Sequence, residues 1–218
     1  MDSISIEIDE KKLFAKWGER EITHDGVVTI EEYLASKVKV LYILKESNDF
    51  PSGPNFTLKD FIKNGARWQS WNNIARWQHG IQTYYQTGTA EYKNHVNLTD
   101  RKNTLKDIAV MNLKKETGGA KSKDLEILNH TIKDFSLLKE QLNLYRPDII
   151  ICCGTGDIVV QQGLFNDIRQ SLESINKTRY IIDSKTLLIK YFHPQAYKNK
   201  KILFDTLMEV IKDVKPKN

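Results

Sequence analysis

Four short apolar runs constrain the fold of this chain more than any other feature. Each is aliphatic or β-branched and ends at polar or turn-forming residues, as buried strands do. The runs are Val38–Leu44, Ile108–Leu113, Asp148–Cys153 and Thr186–Phe192, and Arg179–Asp183 is a further candidate strand. None approaches the roughly 20 apolar residues that a membrane-spanning helix needs, so we expect no membrane partner.

Helical patterns lie between these runs. Apolar residues recur every three or four positions over Ser122–Tyr145, where Pro147 stops the pattern, and further helices are predicted over 67–87, Gly154–Ser174 and Asn199–Val214. Strands that alternate with helices of this length predict an α/β fold. We expect a three-layer α/β/α sandwich with a short, mainly parallel central sheet.

We predict a single domain over residues 1–218, in which residues 1–36 form an N-terminal extension of a strand or arm and short helices packed on the core. Residues 1–35 hold nine acidic and four basic side chains, a net charge of −5. Because the whole chain carries +5, the remaining residues carry +10, concentrated in residues 101–123 and around His193. Such a surface attracts phosphates, although solvated lysines explain it equally simply.

The chain has two cysteines, and they are adjacent: Cys152 and Cys153. That number excludes a disulfide framework, a four-thiolate zinc site and an all-cysteine iron–sulfur cluster. Both end an apolar run, so we predict core residues rather than reactive thiols. Residues Met1–Glu10 are acidic and lack the apolar segment of a secretion signal. We therefore expect a cytoplasmic protein. We further expect a monomer without a metal or cofactor.

Polar side chains follow every predicted strand. Ligands bind at the carboxyl ends of the strands in parallel sheets, so the segments found there are candidates for a site. A structural role exists for each: Glu46 can cap a helix or pair with a lysine, Asn112 can satisfy a turn, and His193 can pack at a strand end. The segments are Lys45–Asp49, Asn112–Lys115, Gly154–Asp157 and His193–Tyr197.

This ordered set resembles the uracil-DNA glycosylase superfamily. Members carry a G-E-A-P-G or G-Q-D-P-Y loop, an asparagine in some branches within N-V-V-K, a strand of the type R-P-x-h-h-h-h-x-G, and H-P-S, in this order. Their counterparts within residues 38–210 are Lys45–Asp49, Asn112–Lys115, Arg146–Gly154 and His193–Gln195. The chain departs from the family at Lys45, where glycine is usual, at Asn48, where proline is usual, and at Gln195, which replaces serine.

The resemblance implies a uracil-DNA glycosylase-like fold and a DNA N-glycosylase of base excision repair, with DNA as its partner. Such a hydrolase cleaves the N-glycosidic bond of a flipped uracil or other modified base. Glu46 would position water and stabilise the oxocarbenium ion, and Asn48 on the same loop is counted with the catalytic residues. His193 would donate to the leaving base, and Asn112 would read the base edge.

The same resemblance implies further contacts with the substrate. Phe56 is the candidate that stacks on the base, with Phe50 and Trp68 as alternatives. Three lysines and one glycine turn are candidates for phosphate contacts. These are Lys114, Lys115, Lys198 and Gly154.

The tryptophan-rich segment 67–87 favours a core helix, because Trp68, Trp71, Ile81 and Tyr85 share one helical face. Trp77 and Tyr84 lie off that face and are the predicted surface aromatics, which single-strand binders use for stacking on bases.

Two other functions fit the same residues. The first is a non-catalytic module that binds nucleic acid or protein on the same fold. The second is a nucleotide-binding enzyme, supported by Gly154-x-Gly156 after a strand. Val159 occupies the third glycine position of a dinucleotide fingerprint, which leaves that motif incomplete.

Overall fold

A mixed, mostly parallel sheet forms at the predicted apolar runs. The computed structural model describes residues 3–48, 57–119, 121–162, 164, 173–176, 178–182 and 185–212. The strands are β1 (Gly26–Val27), β2 (Val40–Leu44), β3 (Ile108–Asn112), β4 (Ile149–Cys153), β5 (Glu173–Asn176), β6 (Arg179–Ile182) and β7 (Thr186–Tyr191). Their order is β1-β3-β2-β4-β7-β6-β5. The central β3, β2, β4 and β7 are parallel, and β1, β6 and β5 each pair antiparallel with their inner neighbours.

Helices flank this sheet. Those described are α1 (Ser3–Ala15), α2 (Ile30–Ala35), α3 (Leu58–Lys63), α4 (Gln69–Thr87), α5 (Leu98–Thr104), α6 (Asp124–Lys133), α7 (Phe135–Tyr145), α8 (Gly156–Gln161) and α9 (Lys200–Lys212). The expected α/β class is therefore confirmed. None of these helices is both long and apolar enough to cross a membrane.

Alternation along the strands produces a core on each face of the sheet. Val40 and Tyr42 pack on one side with α3, α4 and α9, and Leu41 and Ile43 pack on the other side with α2, α6, α7 and α8. All four side chains are completely buried. The central strands, buried on both faces, read as continuous apolar runs for this reason.

The predicted helix over Ser122–Tyr145 is wrong in one respect, because it is two helices that meet at Asp134. The Asp134 carboxylate accepts hydrogen bonds from Trp17 Nε1 at 3.0 Å and from Arg20 Nη1 at 2.6 Å. These partners lie in the N-terminal segment, so a contact distant in sequence accompanies the break in the periodic pattern.

The predicted helix over Gly154–Ser174 also differs. Helix α8 ends at Gln161, and β5 begins at Glu173, where it pairs antiparallel with β6 at the edge of the sheet. Residues 163 and 165–172 lie outside the described part of the chain. Pairing with a neighbouring strand, rather than local periodicity, determines the structure of β5.

Candidate functional site

Four of the predicted site residues meet at one cavity at the carboxyl ends of the parallel strands. Glu46 and Asn48 follow β2, Asn112 is the last residue of β3, and His193 lies two residues after β7. All four line the same cavity, and Trp68 at the start of α4 lines it too. The sheet thus brings together residues that lie up to 147 positions apart in the sequence, from Glu46 to His193.

Backbone pairing beyond the ends of β2 and β3 positions the loop that carries Glu46. The Lys114 N–H donates to the carbonyl of Lys45 at 2.9 Å, and the Gly118 N–H donates to that of Ser47 at 2.8 Å. Asn48 and Gly118 also form an isolated parallel bridge. The loop after β2 is therefore fastened to the segment that follows β3.

Gly118 makes room for the carboxylate of Glu46. A Cβ at position 118 would overlap the carboxyl carbon and both carboxylate oxygens of Glu46, whereas a Cβ at Gly119 would meet no atom within 4 Å. This role of Gly118 could not be predicted from the sequence, because the contact joins two loops that are distant in sequence.

Glu46 is a buried, paired carboxylate. Its side chain is 3% exposed, and Oε2 accepts a hydrogen bond from Lys114 Nζ at 2.9 Å. Lys114 also donates to Glu126 on α6. Burial opposes the charge on Lys114, but its hydrogen bonds to Glu126 and Glu46 outweigh burial and raise the pKa of the ammonium. Lys114 thus holds the carboxylate in place at the edge of the cavity.

Asn112 is buried and only partly satisfied. Its backbone N–H donates to Asp25 Oδ2 at 2.6 Å, and its Nδ2 donates to Ser47 Oγ at 2.9 Å. Within the described residues, Asn112 Oδ1 and Asn48 Oδ1 are buried acceptors without a hydrogen-bond partner. A buried polar atom left unpaired costs about 1–3 kcal/mol, and native proteins tolerate few of them. Two such acceptors on one cavity point to a ligand that donates hydrogen bonds.

His193 is oriented by its neighbours. Its Nδ1 accepts from the backbone N–H of Gln195 at 3.1 Å, so the neutral ring carries its proton on Nε2. Burial and then the charge of Lys45 lower the pKa of His193. Buried Asn73 on α4 donates to the carbonyl of Pro194 at 2.5 Å and anchors the turn. His193 is therefore a neutral hydrogen-bond donor at neutral pH.

The aromatic residue at the cavity is Trp68. It is 42% exposed, and its ring centroid lies 5.0 Å from that of Phe61. Phe56, the predicted stacking residue, and Phe50 lie outside the described residues. Trp71 also lines the cavity, from a buried position on α4. Trp77, predicted to be at the surface, is buried against Tyr191, because α4 is covered by the sheet on one side and by α9 on another.

Three of the four predicted phosphate contacts need correction. Lys115 is completely buried and bonded to Asp25, and Lys114 is 7% exposed and held by two carboxylates. The Gly154 N–H already donates to the carbonyl of Tyr191 at 2.8 Å, and Gly154 lines a different cavity. Of the three lysines, only Lys198 is exposed, and it lies over the ring of Phe192 with Nζ 4.5 Å from the centroid. The basic segment 101–123 therefore does not form one free positive face.

A buried polar network from the N-terminal segment supports the end of β3. Asp25 accepts from Lys115 Nζ at 2.8 Å and from Gln141 Nε2 at 2.7 Å, in addition to the N–H of Asn112. Lys115 also donates to Gln141 Oε1 at 2.7 Å. All three side chains are inaccessible to solvent. Asp25 could not be predicted as part of this network, since an isolated acid in an acidic segment carries no local signal of such pairing.

One group of side chains in the described part of the chain has the spacing of a metal site. The ligand atoms of Glu116, His130 and Asp134 lie within 4.8 Å of one another. Arg20, however, donates to both carboxylates, to Glu116 from Nε at 2.8 Å and to Asp134 from Nη1 at 2.6 Å. Its guanidinium supplies the positive charge that the cluster requires, so the contacts fit an ion-pair network better than a metal centre.

Comparison with known proteins does not assign the chain. No protein-family description matches its sequence, and no significant match occurs among curated proteins. The function is therefore inferred from the geometry of the cavity.

Proposed function

We propose that the chain is a DNA glycosylase of the uracil-DNA glycosylase type, which hydrolyses the bond between deoxyribose and a flipped uracil or other modified base. The finer fold within the α/β class is then the three-layer α/β/α sandwich of that superfamily, with residues 1–36 as an extension. The ordered segments after β2, β3, β4 and β7 support this proposal, since three of the four meet at one cavity.

One observation carries the proposal: buried unpaired acceptors lie beside a carboxylate and a neutral histidine. Asn112 Oδ1 and Asn48 Oδ1 line the cavity together with Glu46 and His193. The edge of a nucleobase can donate an N–H hydrogen bond to Asn112 Oδ1, and a bound water can donate one to Asn48 Oδ1. The same geometry therefore offers base recognition and the two chemical functions that cleavage requires.

As the N-glycosidic bond breaks, negative charge develops on the base and positive charge develops on the sugar. His193, with its proton on Nε2, would donate a hydrogen bond to the departing base. Glu46, held by Lys114, would stabilise the oxocarbenium ion and orient the attacking water. Asn48, on the same loop, would help to hold that water. Trp68 offers an aromatic face to the base.

The pH dependence of base release tests this assignment. Because burial and Lys45 lower the pKa of His193, the ring stays neutral when the pH falls below 6.5, the ordinary histidine value. We expect the rate to stay level from neutral pH to below 6.5 and to fall only at more acidic pH, where His193 becomes protonated and loses the Gln195 hydrogen bond.

Single-turnover release from oligonucleotides that contain uracil or hypoxanthine, measured between pH 4.5 and 8.5, gives this profile. Circular dichroism at each pH controls for unfolding. A decline centred at or above pH 6.5, or a rate that rises on acidification, would contradict the role of neutral His193.

Gly118 provides a second test. In Gly118→Ala the new methyl group would displace the Glu46 carboxylate, so we expect base release to fall by about 10²-fold, which is typical of a small misplacement of a catalytic group. Gly119→Ala is the matched control, because its methyl group meets no atom within 4 Å. Equal rates in the two variants would show that the Glu46 position does not matter for the reaction.

A non-catalytic DNA-binding module is the alternative function. The ion pair of Glu46 with Lys114 favours it, because this pair also gives Glu46 a purely structural role. Lys198 and the exposed ring of Tyr197 could bind DNA without chemistry. The module would be favoured if the chain binds DNA in a salt-dependent way but releases no base, and if Glu46→Ala binds DNA equally well.

A further inference from the structure

Lys45 places a primary amine in the candidate cavity. It directly follows β2 and lines the cavity together with Glu46, Asn112 and His193. We propose that Lys45 forms a covalent imine with the abasic sugar and that the protein cleaves the DNA strand at abasic sites. This inference rests on the proposed function, because it assumes that damaged DNA enters this cavity.

Lys45 lines the cavity, whereas Lys114 lies behind it as the partner of Glu46. Lys114 is 7% exposed and is held between two carboxylates, one of which is the buried Glu46. The Lys45 side chain is 21% exposed and pairs at 2.6 Å with Asp124, which is 76% exposed at the start of α6. A pair with a solvated carboxylate holds its cation weakly. Lys45 is thus the amine that can leave its partner for an incoming ligand.

The chemistry needs no oxidant or further cofactor. Lys45 leaves Asp124 and loses a proton to the solvent, and its Nζ attacks C1′ of the ring-opened abasic sugar, which is an aldehyde. Water leaves and a C1′=N bond forms. The Glu46 carboxylate then takes a proton from C2′, a C2′=C3′ bond forms, and the C3′–O bond breaks with the phosphate as leaving group. A second water hydrolyses the imine to the aldehyde, Glu46 releases its proton to the solvent, and Lys45 takes up a proton and regains its charge.

Borohydride trapping tests this proposal. The full chain is incubated with an oligonucleotide that carries one preformed abasic site, in the presence of sodium borohydride, which reduces an imine to a stable amine. We expect a covalent protein–DNA adduct that peptide mass spectrometry maps to Lys45. The adduct should be lost in Lys45→Arg, which keeps the charge but lacks the amine, and should persist in Lys133→Arg, an exposed lysine on α6.

The outcomes separate this proposal from the proposed function. Base release without any adduct, an adduct mapped to another amine, or an adduct that persists in Lys45→Arg would overturn the imine. An adduct at Lys45 without release of any base would uphold the amine chemistry and overturn the glycosylase. Thermal denaturation of Lys45→Arg, compared with the unmodified chain, shows whether loss of the adduct reflects unfolding.

Discussion

Replacing Glu46 with glutamine is expected to lower the rate of base release by about 10²–10⁴-fold, the usual contribution of a positioned acid or base. The substitution keeps the shape of the side chain but removes the charge that would stabilise the oxocarbenium ion. The Lys114 ammonium can still donate to the amide oxygen, so the loop should keep its place. Single-turnover release from uracil-containing DNA measures the effect.

Glu126→Gln is the matched control for this substitution. Glu126 accepts from the same Lys114 ammonium, but its side chain is 44% exposed, and it does not line the cavity. Its loss should therefore leave base release within a few-fold of the original rate. Equal losses of activity in the two variants would mean that the charge balance of Lys114, and not the Glu46 carboxylate, governs the reaction.

Replacing Asp25 with alanine is expected to lower the free energy of unfolding by about 3–5 kcal/mol, as removal of one partner of a buried ion pair generally does. The variant leaves the Lys115 ammonium buried, with Gln141 Oε1 as the remaining side-chain hydrogen-bond acceptor among its described contacts. It also leaves the N–H of Asn112 without its acceptor. Urea denaturation of both proteins, analysed with one common m-value, measures the loss of unfolding free energy.

Breaking an exposed ion pair should lower the free energy of unfolding much less than breaking the buried pair of Asp25 and Lys115. Lys106 and Glu32 form an ion pair at 2.8 Å whose side chains are 42% and 43% exposed. We expect Glu32→Ala to cost at most about 1 kcal/mol. A double variant of Asp25 and Lys115 should be less destabilised than the sum of its single variants, because each single variant leaves its partner unpaired. Equal effects of Asp25→Ala and Glu32→Ala would contradict the buried network.

The sheet was predictable because its central strands are buried on both faces. Their sequences are continuous apolar runs, and β2, β3, β4 and β7 fall within a few residues of the predicted limits. The break at Asp134 and the strand β5 were not predictable, because each depends on a partner elsewhere in the chain: Arg20 for Asp134 and β6 for β5. Local periodicity contains no information about such partners.

The candidate site also has some features that were predictable from the sequence and others that were not. Glu46, Asn112 and His193 could be placed together because parallel strands end at one edge of a sheet. The burial of Lys114 and Lys115, for which the resemblance implied phosphate contacts, could not be predicted, because a short motif does not reveal whether a lysine is buried or paired. Asp25 and Gly118 could not be found, since their contacts with Asn112 and Glu46 arise only when separate segments meet in the folded chain.

Mass spectrometry of the bases released from DNA tests the central claim most directly. The purified chain is incubated with single- and double-stranded oligonucleotides that each contain one uracil, hypoxanthine or hypermodified base, and free base is quantified. The proposed function predicts release of at least one of these bases and its loss in Asn112→Ala and Glu46→Gln. Absence of release from every substrate by the folded, DNA-binding protein would contradict it.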